Sequence, residues 1–196
     1  MDLLLFLILF PFLVAVALLL MPRDRVRKAL GYLAGTIVIA ASLFLLYSSF
    51  IGPAKYFEPG PELFNGLMLV GEVLIAAYIV YRSMALRKYA PLALAVAQTA
   101  ILLYFEFGMA QGEGVHYSLF IDQLSLMMAL IIGVVGGLIC IYAFSYMEAF
   151  HALHKEVKDR RGLFFFVLFA FLSAMFGLVF SNSLLWLYFF WEVTTI

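Results

Sequence analysis

A succession of apolar stretches, most of them as long as a helix that crosses a bilayer, constrains this fold most. A spanning helix needs roughly 20 apolar residues because the hydrocarbon layer is about 30 Å thick. Of the 196 residues, 66% are apolar and 12% are charged, unlike a soluble domain. The stretches lie near residues 3–21, 30–50, 66–84, 90–108, 122–146 and 163–181, and a seventh opens near 184. We therefore predict an all-α, polytopic transmembrane helix bundle that forms one region over residues 1–196, in contact with the lipid bilayer.

The seventh stretch is too short to cross a bilayer within this sequence. As a helix, residues 184–196 would extend about 18 Å, against a hydrocarbon layer of about 30 Å. We expect the sequence to be a fragment of a longer subunit, in which further residues complete this last helix.

Basic residues concentrate in alternate loops. Of the twelve, only Lys55 lies outside the first, third and fifth loops. The others are Arg23, Arg25, Arg27, Lys28, Arg82, Arg87, Lys88, Lys155, Lys158, Arg160 and Arg161. Because basic loops are retained in the cytoplasm, this alternation predicts a protein of the cell (inner, cytoplasmic) membrane with its N-terminus outside.

Composition and motifs exclude several kinds of chemistry. The formal net charge is zero, so nothing indicates a nucleic-acid partner. Nucleophile motifs, phosphate-binding loops and cysteine clusters are not found in the sequence. His151 and His154 have a spacing that can share a metal ion, but no further ligands accompany them, and we favour an interfacial turn that docks on another subunit. We expect no cofactor, metal or redox centre in this chain.

Glu192 is the strongest candidate for a functional residue. It follows Trp191 in the last apolar stretch, about 12 Å beyond Leu184 and therefore close to the middle of the hydrocarbon layer. A carboxylate there costs several kcal/mol unless it is paired, hydrated or protonated. We predict a proton or ion relay; the alternative is a structural glutamate that binds a neighbouring helix.

Two other carboxylates are weaker candidates. Asp122 opens the fifth helix, where capping of backbone N–H groups explains it, with a role in holding ions or water as the alternative. Glu72 lies roughly a turn and a half into the third helix, where we favour a structural role over an accessory one in transport. Gln98 and Thr99 are uncharged and can bond within their own helix.

Several motifs follow one another between Tyr117 and Ile196. They are Asp122-Gln-Leu-Ser125 before a glycine-rich helix, Ile141-Tyr-Ala-Phe-Ser-Tyr-Met147, Arg161-Gly-Leu-Phe-Phe-Phe, and Ser181-Asn-Ser-Leu-Leu-Trp-Leu-Tyr-Phe-Phe-Trp-Glu192. In this order the run resembles the antiporter-like membrane subunits of respiratory complex I. That family includes Mrp-type cation/proton antiporters and membrane-bound group 4 NiFe hydrogenases.

The resemblance implies the N-terminal part of an antiporter-like inverted-repeat fold, with Glu192 as the family's intramembrane glutamate. In these subunits the glutamate pairs with a lysine on a later, broken helix, and the pair gates proton movement along the membrane midplane. This sequence stops before such a lysine. It also has an additional helix pair, 66–108, ahead of Asp122.

The function implied is a proton- or sodium-translocating membrane subunit of a complex I-related, redox-driven complex. Its partners would be the other membrane-arm subunits, and the additional helix pair favours hydrogenase-like or ferredoxin-linked relatives over mitochondrial-type complex I. The alternative is a non-pumping structural scaffold subunit of the same kind of membrane arm. A lysine in an apolar helix after Ile196 would support the transporter.

Overall fold

The computed structural model describes residues 2–21, 23–49, 54–57, 63–87, 89–104, 118–154, 156 and 158–195. The helices within these ranges are α1 (Asp2–Leu20), α2 (Asp24–Ser49), α3 (Leu63–Ala85), α4 (Tyr89–Tyr104), α5 (Gln123–Ile131), α6 (Gly137–Leu153), α7 (Arg161–Phe180) and α8 (Leu184–Thr195). A π-helical segment, Ile132–Gly136, joins α5 to α6 without a break. Two short strands, β1 (Lys55–Phe57) and β2 (Leu119–Ile121), pair antiparallel.

The helical, multi-pass class predicted from the sequence is confirmed. Among the described residues, α1, α2, α3, the continuous helix from α5 to α6, and α7 are long and apolar enough to cross a membrane. The two shorter apolar helices are α4, with 16 residues, and α8, with 12. Residues 105–108, which the sequence analysis assigned to the fourth helix, lie outside the described residues.

The fifth helix is longer than predicted. It continues past residue 146 to Leu153, so the prediction that His151 lies in a loop is wrong. Residues 147–153 include Met, Glu, Ala and Leu, which favour a helix, and contain no Gly or Pro to end one. His154 is the C-cap, where the helix stops.

Helix α7 lies at the centre of the bundle. It packs along α1 on one side and α8 on another, and also contacts the continuous helix formed by α5 and α6. Phe169, Phe176 and Phe180 of α7 are fully buried. The pair α3–α4 docks through α3 on α8, at the edge of the bundle. Through this docking, α3 and α4 reach the helix that carries Glu192.

Glycines let α2 and α6 approach closely. A Cβ on Gly35 would lie 3.3 Å from the Gly137 carbonyl oxygen, and one on Gly137 would lie 3.2 Å from the Gly35 oxygen. Gly35 and Gly137 therefore have a packing role, because a larger side chain at either position would separate the two backbones.

The loops gather at two ends of the bundle. At one end Arg161 of α7 binds Asp24 of α2 at 2.9 Å, and Lys28 of α2 pairs with Glu148 of α6, so these ion pairs join the helix ends next to the first and fifth loops. At the other end β1 pairs with β2, and Leu119 of β2 bridges to Ser181 between α7 and α8. The first and fifth loops thus share one end, as the alternation of basic loops requires.

Candidate functional site

Helix α8 presents Glu192 to the interior of the bundle. The side chain is 8% exposed, whereas that of the neighbouring Trp191 is 58% exposed. One turn earlier on the same face, the Tyr188 hydroxyl donates to Glu192 Oε1 at 2.8 Å. Tyr188 is not among the site residues predicted from the sequence, although a tyrosine four residues before a glutamate lies on the same face of a helix.

Helix α4 supplies a second donor to the same oxygen. The Gln98 side-chain amide donates from Nε2 to Glu192 Oε1. Gln98 could have bonded within its own helix, but α4 lies close enough to α8 for the amide to reach across. Thr99 does bond within its own helix, since its hydroxyl donates to the Ala95 carbonyl at 2.8 Å.

Helix α3 contributes a second carboxylate next to Glu192. Glu72 is 4% exposed. The residue before it, Gly71, lies against α8, and a Cβ there would lie 2.7 Å from Phe189 Cε2. The lack of a side chain at Gly71 lets α3 approach α8 and places Glu72 beside the Glu192 site.

The two carboxylates lie at similar depth. Glu72 is nine residues from the start of α3 and Glu192 is eight residues from the start of α8. At 1.5 Å per residue these positions are about 14 Å and about 12 Å from the helix starts. Helix α3 follows β1, and α8 follows Ser181, which bridges to Leu119 of β2, so both begin at the strand end of the bundle.

A small cavity connects these groups. Its volume is about 10 Å³, roughly the space that one water molecule needs. The lining residues are Glu72, Val73, Ala76, Gln98, Thr99, Tyr188 and Glu192. Glu192 Oε2 is buried and accepts no hydrogen bond from the described part of the chain. Such a site can hold a proton, a water molecule or a small cation between acidic oxygens.

Asp122 lies outside this site and caps a helix. Its Oδ1 accepts from the Ser125 backbone N–H at 2.7 Å, and its own N–H donates to Ser125 Oγ at 2.7 Å. Hydrogen bonds from the backbone N–H and the side chain of Ser125 hold the pKa of the Asp122 carboxyl below its usual value. The capping interpretation is confirmed, and a role in ion binding stays a prediction.

The two histidines of the α6 terminus are also engaged locally. His151 Nδ1 lies 3.0 Å from the Met147 carbonyl oxygen, and His154 Nδ1 lies 3.2 Å from that of Phe150. Within the described ranges no three His, Cys, Asp or Glu side chains come together as a metal site would require.

The described helices form a multi-pass membrane bundle in which an acidic side chain, Glu192, is buried between helices. Residues 110–155 match the family model described as the N-terminus of chain 5 of NADH-ubiquinone oxidoreductase (complex I). In an Na(+)/H(+) antiporter of Alkalihalophilus pseudofirmus, the subunit named A is 34% identical over 83 residues, which are 42% of this chain and 9% of that protein. In an Na(+)/H(+) antiporter of Staphylococcus haemolyticus, the subunit named A1 is 34% identical over 82 residues, with the same shares.

These matches support the antiporter-like family of complex I and Mrp membrane subunits, as the motifs predicted. The chain spans about 9% of the length of these curated relatives. No solved structure matches it. The pair α3–α4 precedes residue 110 and lies outside the matched family model.

Proposed function

We propose that this chain is a proton-translocating membrane subunit of the antiporter type, with Glu192 as its intramembrane proton carrier. The observation that carries the proposal is the position of Glu192: buried between α8, α4 and α3, with two donors on Oε1 and a cavity beside it. The likeness to Na(+)/H(+) antiporter subunits supports the same function.

A proton carrier must bind and release a proton at the same carboxyl group. Glu192 is buried between helices, and its Oε1 accepts hydrogen bonds from the Gln98 amide and the Tyr188 hydroxyl. A cation approaching from outside these residues would release the proton, and its withdrawal would restore the acid. The balance between these states is what a proton carrier requires.

The driving reaction and the partners belong to the same proposal. The chain would act in a multi-subunit, complex I-related and redox-driven assembly of the cytoplasmic membrane, hydrogenase-like or NADH/ferredoxin-linked. Other membrane-arm subunits would surround it, the N-terminus would face outside, and sodium is the alternative to the proton. The electron-transfer centres would lie in other subunits.

The alternative function is that of a non-pumping scaffold. The observation that favours it is the hydrogen bond from Gln98 to Glu192, because it joins α4 to α8 and would stabilise the bundle without any turnover of protons. In that case Glu192 would be a structural residue.

Replacement of Glu192 tests the two functions against each other. Glu192→Gln keeps the size and the hydrogen-bonding capacity of the side chain but cannot release a proton. We expect coupled proton transport in native membrane vesicles to fall to background, with the amount of protein in the membrane unchanged. Glu156→Gln, at an exposed turn, is the matched control and should transport normally. Normal transport by Glu192→Gln would leave only the scaffold.

A further inference from the structure

We infer that Glu72 is a second proton-carrying residue, which exchanges a proton with Glu192 across the cavity between α3 and α8. This inference rests on the proposed function of Glu192 and extends it to α3, which, like α8, lies outside the matched family model of residues 110–155. The chain would then have a two-carboxylate site, whose second member comes from the pair α3–α4.

The first support is burial at a shared cavity. Glu72 is 4% exposed and Glu192 is 8% exposed, and both side chains line the same space of about 10 Å³. A space of that size can hold about one water molecule between the two carboxyl groups. The buried Glu192 Oε2 accepts no hydrogen bond from any described residue, so it is available to such a water.

The second support is the charge of the described residues that line the cavity. From α4 come the neutral Gln98 and Thr99, and from α8 comes Tyr188. Helix α7, which packs on α8, carries no charged side chain after Arg161. Among the described residues, none with a basic side chain lines the cavity. Two carboxylates that share one space repel each other when both are ionised, so one shared proton would relieve that repulsion.

The transfer itself needs no other reactant. The acid form of one glutamate donates its proton to a water molecule in the cavity, and that water passes a proton to the carboxylate of the other. No electrons move, and the site keeps one proton and one negative charge. Because α3 lies at the edge of the bundle, Glu72 would connect Glu192 with the side of the protein that α3 and α4 cover.

Residue-specific labelling with a hydrophobic carbodiimide tests this sharing, because the reagent modifies protonated carboxyl groups. Membranes containing the native protein would be labelled between pH 5 and pH 9, and the modification of each glutamate measured by mass spectrometry. In Glu72→Gln we expect the pH of half-maximal labelling at Glu192 to fall by about one unit or more, because the neighbouring charge is gone. Labelling of Glu72 should respond in the same way to Glu192→Gln.

Transport provides the second measurement. Glu72→Gln should lower coupled proton transport at least tenfold and displace its pH profile, whereas Glu72→Asp should retain most of it. Glu156→Gln should change neither quantity. If Glu72→Gln leaves the labelling of Glu192 and transport as in the wild type, Glu72 is not part of the relay, even though Glu192 still is. If Glu192→Gln transports normally, the proposed function fails first, and the reciprocal labelling still decides whether the two groups share a proton.

Discussion

Asp122 connects a strand to a helix through a reciprocal pair of hydrogen bonds with Ser125. Loss of such an N-cap costs about 1 kcal/mol, so Asp122→Ala should lower the free energy of unfolding by about that amount at neutral pH. The pKa of Asp122 is depressed in the folded state. Its stabilisation is therefore present above the unfolded pKa of about 3.9 and is lost as pH falls through the lower folded value.

Thermal unfolding in detergent, followed from pH 7 to pH 3, measures this effect. The difference between the wild type and Asp122→Ala should shrink below about pH 4. Asp122→Asn keeps an acceptor oxygen but cannot titrate, so it isolates the contribution of the charge. A difference that stays constant over this range would show that the charge of Asp122 contributes nothing to the cap.

Residue by residue, the sequence was most informative where a polar group interrupts an apolar stretch. Glu192 could be singled out because a carboxylate within a hydrocarbon layer is energetically costly and therefore rare. Its partners could not be identified in the same way, since Gln98 and Glu72 lie 94 and 120 positions earlier in the chain. Their contact depends on how α3 and α4 dock on α8.

The sequence does not reveal this docking, because lipid is as apolar as the interior of the bundle. Side chains that face lipid and side chains that face another helix are therefore of the same types. In α1, Leu7 is fully buried and Leu13 is 65% exposed, yet both are leucines in the same apolar run. The lengths of the apolar runs therefore predicted the helices, but no periodicity revealed which face of each helix is buried. Small residues are the exception, since Gly35 of α2 and Gly137 of α6 lie where the two backbones approach each other.

The π-helical segment between α5 and α6 contains Gly133, which contacts α2. A Cβ on Gly133 would lie 1.8 Å from Ser42 Oγ and 2.4 Å from Ser42 Cβ. Ser42 is buried, and its hydroxyl donates to the Val38 carbonyl oxygen at 2.9 Å, so the side chain has little room to yield. Gly133→Ala should therefore destabilise the protein by about 1–3 kcal/mol through overpacking.

Thermal stability in detergent is the measurement for this variant. Gly66→Ala in α3 is the matched control, because a Cβ there meets nothing within 4 Å, and its stability should be unchanged or slightly higher. Adding Ser42→Gly to Gly133→Ala should recover part of the loss, since it removes both clashing atoms. Equal stability of Gly133→Ala and Gly66→Ala would mean that α2 and the π-helical segment separate at little cost.

In the molecule as a whole, the two ends of the bundle are held by different kinds of interaction. Ion pairs between the helix ends next to the first and fifth loops hold one end, and the paired strands hold the other. Asp159 belongs to the first end, where the Arg161 guanidinium holds the pKa of its carboxyl well below the usual value. The bundle thus has a charged end and a strand end, and the excess of basic residues predicts that the charged end faces the cytoplasm.

Cysteine labelling decides this orientation. The native Cys140 is buried, so it gives a low background with an impermeant maleimide. Arg25→Cys places an exposed thiol at the charged end, and Tyr56→Cys places one at the strand end, where Tyr56 is 54% exposed. In intact cells we expect Tyr56→Cys to be labelled and Arg25→Cys to be protected, with both labelled after permeabilisation. The reverse pattern would place the N-terminus inside and put Glu192 on a helix that runs outward from the cytoplasm, so that α3 and α8 would both begin at the cytoplasmic end.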